Sequence, residues 1–136
     1  KPGGKLCILD VDKDWSSLYP EPESSMELDQ AIIQKQLSQG GDPWVGRKLS
    51  SYLNSAGFEQ VQTTVSLIDS NQLGLAHFFG MLSFGSSYQS GKNRFTELQE
   101  KVAPDIKILL KNPNAWAGFG LFTATGRKVK HNVLSI

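Results

Sequence analysis

The chain has 136 residues, enough for one domain that buries roughly two-thirds of its unfolded surface. Its 14 lysines and arginines against 13 acids leave a net charge of +1, so bulk electrostatics suggest neither nucleic acid nor an anionic membrane as partner. One cysteine excludes an internal disulfide and fits a reducing compartment, and no stretch approaches the roughly 20 apolar residues of a membrane span.

The first element is entered by Lys1-Pro2-Gly3-Gly4. From Leu6 to Leu9 every position is apolar or thiol, and the run ends at Asp10. An unbroken apolar run predicts a strand near 5–10 covered on both faces, as in an α/β sheet. Ligands in such sheets bind beyond the carboxyl ends of strands, where Asp10 and Asp12 would stand. They either line a substrate pocket or cap the strand. Cys7 inside this strand predicts an inert core thiol.

Residues 13–25 read as a loop, restricted by Pro20 and Pro22, with Ser24 and Ser25 able to cap a helix over 26–38 that ends at Gly40-Gly41. A second helix follows. Asp42 suits its N-cap and Pro43 its first position, and Val45, Leu49, Tyr52, Leu53 and Ala56 form one apolar face before Gly57. Residues 59–68 alternate, with Val61, Thr63, Val65 and Leu67 against Gln60, Gln62, Thr64 and Ser66. This predicts a strand near the sheet edge.

Residues 72–112 read as a helical insertion over the substrate side. The part from 72 to 84 is apolar nearly all round, which predicts deep burial or the roof of a cavity. Pro104 is expected to end one short helix before another reaches Asn112. The last strand, near 117–126, has apolar groups on both faces and should be interior. The tail 127–136 should be partly disordered.

This order resembles the C-terminal half of a Rossmann-like S-adenosylmethionine-dependent methyltransferase, of the type that includes the ubiquinone and menaquinone biosynthesis enzymes. Lys1-Pro2-Gly3-Gly4 with Leu6 to Asp10 is similar to the family's fifth-strand motif. Asp12-Lys13-Asp14-Trp15 is similar to the loop after it in one subgroup. Gly46-Arg47-Lys48-Leu49 and Ala56-Gly57-Phe58 resemble that subgroup's last long helix, and Phe122 to Arg127 its final strand.

The resemblance implies a partial α/β domain over 1–136: a three-stranded mixed sheet, the last strand central and antiparallel between the other two, with four to five helices. It implies an S-adenosylmethionine cofactor in a full-length parent, a small hydrophobic or aromatic acceptor, and a cytoplasmic enzyme. No G-x-G-x-G is present: Gly118 and Gly120 lie in a strand with no helix after them. The chain alone is therefore expected to bind no cofactor and to be inactive. Its expected partners are the missing N-terminal half, or a second copy meeting it along the bare Lys5–Asp10 strand edge. Alternatives are a non-catalytic dimerising module and an apolar-ligand carrier.

No residue is assigned as catalytic. The substrate-pocket candidates are Asp10, Asp12, Trp15 and His77. Trp15 would stack on a planar substrate or pack over the sheet edge. His77, on a very apolar helix, is expected as a core or pocket-wall histidine rather than a general base. Arg47 is expected to pair with Asp12 or Asp14 as a structural ion pair. His131, in the tail, is expected to be inert, and two distant histidines with one cysteine provide no metal-ligand spacing. No G-x-S-x-G elbow marks a hydrolase.

Overall fold

The computed structural model describes residues 1–82 and 93–129. The elements are β1 (Lys5–Tyr19), α1 (Glu23–Ser38), a 3-10 turn (Gly46–Lys48), α2 (Leu49–Ser55), β2 (Phe58–Asp69), α3 (Ser70–Leu73), α4 (Leu75–Leu82), α5 (Arg94–Lys111) and β3 (Trp116–Lys128). The sheet order is β1-β3-β2, so the last strand is central. Its sequence explains the placement. Residues 117, 118, 120, 122, 124 and 126 are buried and 119, 121 and 123 are half-buried, as an interior strand requires. The sheet is antiparallel rather than mixed, because β1 and β2 are separated by β3 and every bonded pair includes that strand.

The chain divides into two compact units. One holds Lys1–Trp15, Trp44–Leu67 and the chain from Gly120 onward; the other holds Ser16–Pro43 and Ile68–Phe119. In the first, Leu49 and Leu53 of α2 are buried against Phe122 and Ala124 of β3, with Ile8, Val45, Phe58 and Val61 around them. Gln60 has φ +53. This left-handed residue breaks the alternation, so that Phe58 and Val61 both reach this core.

In the second unit, α1 and α5 pack together. Ser24 Oγ donates to Asp105, and Lys101 Nζ meets Glu27 at 2.7 Å. The Lys35 ammonium lies 4.8 Å from the centre of the Phe95 ring. Leu98, Val102 and Leu109 form the buried stripe of α5. Asn93 caps it: its side chain accepts from the Thr96 N–H at 3.0 Å, and Thr96 Oγ1 accepts from the Asn93 N–H at 2.9 Å. Phe78 of α4 is 2 % exposed and packs on Phe119, ring centres 5.6 Å apart.

Several expectations are corrected. β1 does not stop at Asp10 and is not covered on both faces. It runs through the expected loop to Tyr19, and Leu6, Cys7, Leu9 and Val11 are exposed. The reason is its place at the sheet edge, with α2 over one face only. Cys7 is therefore an exposed thiol and not a core one. α1 begins three residues earlier than expected, after Pro22, with no side-chain cap bond.

The helix expected from Asp42 is a 3-10 turn followed by α2, with Lys48 rather than Asp42 at the cap. The preceding residues are bound instead to β1, as described below. Pro104 lies inside α5 and does not end it. A proline inside a helix costs about 3 kcal/mol, through the lost backbone hydrogen bond and the clash of its ring with the preceding turn, and the buried stripe on both sides of it offsets this. In α4, among the described side chains, only Phe78 is buried; His77 is exposed. Residues 83–92 and 130–136, including Phe84 and His131, lie outside the described residues.

Candidate functional site

The main polar centre of the first unit joins β1 to the 3-10 turn. Asp12 is 1 % exposed and is the only buried charged residue among the described residues. Its carboxylate accepts from Arg47 Nε at 2.6 Å and from a terminal Arg47 nitrogen at 2.5 Å, a two-pronged guanidinium–carboxylate pair. The backbone N–H groups of Arg47 and Asp14 each donate to it at 3.2 Å. The same terminal nitrogen of Arg47 also reaches Asp14 at 2.7 Å, and Trp44 Nε1 donates to the other Asp14 oxygen at 3.1 Å.

Gly46 makes this approach possible. A Cβ there would lie 2.8 Å from the Phe122 ring and 3.0 Å from Asp12 Cβ. The hydrogen bond from Arg47 lowers the Asp12 pKa from its ordinary value, against the opposing effect of burial. Asp14 is lowered too, by Arg47 first and Trp44 second, and Arg47 is raised by both acids. Both oxygens of Asp12 are engaged by Arg47, and the arrangement fastens the turn to the strand.

The other expected site residues do not join it. Asp10 is exposed on β1 and accepts from the N–H of Val11 at 2.8 Å. Because β1 continues to Tyr19, Asp10 is not at the carboxyl end of the strand. Trp15 packs edge-to-face on Phe122, ring centres 5.3 Å apart at 89°, while remaining 53 % exposed. His77 belongs to the second unit, on an exposed face of α4.

Sequence reasoning missed Trp44 and Gly46. Their only signal was proximity to Arg47, since neither belongs to an apolar pattern. It also missed an open groove of about 950 Å³ between α1 and the start of α5, bordered by Met26, Gln30, Lys35, Arg94 and Phe95. Among the described residues no cluster of histidine, cysteine and acidic groups could hold a metal ion, and no helix is long and apolar enough to cross a membrane. A scan against protein-family models and a search of curated proteins each return no match.

Proposed function

We propose that this chain is the substrate-side part of a Rossmann-like S-adenosylmethionine-dependent methyltransferase acting in the cytoplasm on a small hydrophobic or aromatic molecule. The observation that supports the reading is the strand order β1-β3-β2 with an antiparallel central strand. A simple meander would place β2 in the middle. Returning the last strand between the first two is the arrangement that the methyltransferase resemblance implies for its final three strands.

In this reading the cofactor belongs to a Gly-rich half that pairs with the exposed side of β1. Methyl transfer needs the acceptor aligned with the sulfonium and shielded from water. Helices α4 and α5 would give that shielding, and Asp12, clamped by Arg47, would fasten the 3-10 turn to β1 rather than react. The coding sequence ahead of Lys1 tests the proposal. A strand, a G-x-G-x-G loop and a helix encoded there are the expected result; an upstream sequence without them overturns it.

A further inference from the structure

The groove between α1 and the start of α5 lies wholly within the second unit. Its volume of about 950 Å³ falls in the range of small-molecule sites, roughly 300–1,000 Å³. The two helices run in opposite directions. Ser24 meets Asp105, Glu27 meets Lys101 and Lys35 meets Phe95, so the far end of α1 lies beside the first turn of α5. The α1 wall extends from Met26 to Ser38, about 18 Å at 1.5 Å per residue. Its apolar groups are thinly covered. No residue of α1 is buried, and Met26 is 57 % exposed. Ala31 and Phe95, which also border the groove, are half-buried.

The charges along the groove are uneven. Three ionised groups border it: Glu27, Lys35 and Arg94. Glu27 already pairs, at 2.7 Å, with Lys101, which is not part of the groove wall. Lys35 lies over the face of Phe95, at the opposite end from Glu27. Arg94 precedes Phe95 in the chain. Its guanidinium is exposed and makes no hydrogen bond or ion pair among the described residues. The end beside the first turn of α5 is therefore basic, and the acid at the other end is neutralised by its own lysine.

We propose that this groove binds a small amphiphilic anion, an alkyl carboxylate, with its carboxylate at Arg94 and Lys35 and its chain running toward Ala31 and Met26. An apolar floor with a few polar groups at one end is the usual composition of a small-molecule site. Charge complementarity selects an anion, because the basic end has no acid of the groove wall to answer it. It also argues against the rest of the chain as the occupant. Residues 83–92 and 130–136 contain no Asp or Glu. The inference does not rest on the methyltransferase reading.

The test is an NMR titration of the chain with octanoate, octanol and octylammonium, each below its micelle concentration. Octanoate should give saturable shifts of the Gln34, Lys35 and Phe95 amides. Its Kd should be about fivefold below that of octanol, the scale of one partly exposed ion pair, and octylammonium should bind no better than octanol. Arg94 is exposed, so Arg94→Gln should fold. That variant should lose most of the preference for octanoate and bind octanol as before. Equal affinity for the three ligands, or no saturable shift of these amides with octanoate, would overturn the proposal. So would a full preference retained in Arg94→Gln. Shifts of the same amides on raising the chain's own concentration without ligand would make the groove a contact between copies and overturn it as well.

Discussion

Arg47 holds the buried carboxylate of Asp12 with two nitrogens, at 2.6 and 2.5 Å, across 35 positions of sequence. Nothing local ties these residues together. The pair fastens the 3-10 turn to β1, and its strength comes from the burial of the acid, since breaking a buried pair leaves a desolvated charge. Replacing Asp12 by Ala should lower stability by about 2–4 kcal/mol, read from urea unfolding. Asp14→Asn should shift the midpoint much less, because Asp14 is exposed. Equal shifts would mean that burial is not what makes the Asp12 contact strong.

Acid should weaken the same connection. Asp12 and Asp14 are both held below their ordinary value by Arg47. A carboxylate with a depressed folded pKa contributes stability that is fully present above its unfolded pKa, roughly pH 4, and is lost as pH falls through the folded value. Unfolding free energy should therefore be level in this contribution from pH 7 to about 5 and should decline below about 4. In Asp12→Asn the acid limb should be shallower. An unchanged limb would place the acid sensitivity elsewhere.

Gly46 should tolerate no side chain. An alanine Cβ would press on the Phe122 ring and on Asp12 at once. Gly46→Ala should destabilise by about 1–3 kcal/mol, the usual range for overpacking. Gly80, in α4, has nothing among the described residues within 4 Å of an added Cβ. There alanine should be neutral or stabilising by about 0.5–1 kcal/mol through helix propensity. Matching thermal shifts for the two variants would contradict the close approach at Gly46.

The core of the second unit depends on Phe78. Its ring is buried against Phe119, on a helix whose other described side chains are half-buried or exposed. Phe78→Ala should cost about 3–5 kcal/mol, whereas His77→Ala, one residue earlier and exposed, should change stability by less than about 0.5 kcal/mol. Denaturant midpoints of the two variants check this. A large loss in His77→Ala would show a contact for that histidine beyond its exposed position.

The central position of β3 was legible because both its faces are apolar, a pattern only an interior strand needs. The edge character of β2 was legible from its alternation. β1 was misread from equally good evidence: Leu6 to Leu9 has the composition of a covered strand, but composition cannot show whether a neighbour is present. The shortened α2 was hidden for a different reason. Asp42 and Pro43 are sound local start signals, yet long-range bonds from Asp12 and Asp14 to Arg47 and Trp44 hold that stretch in a turn. The charges of Arg47, Asp12 and Asp14 suggested a pairing; that one guanidinium binds both acids required the approach that Gly46 permits.

The most direct measurement is calorimetric titration of S-adenosylmethionine into the chain and into the same chain extended by the segment encoded ahead of Lys1. The methyltransferase assignment predicts no measurable binding to the chain alone and saturable binding to the extended form. Micromolar binding by residues 1–136 alone, or none by the extended form, would contradict it.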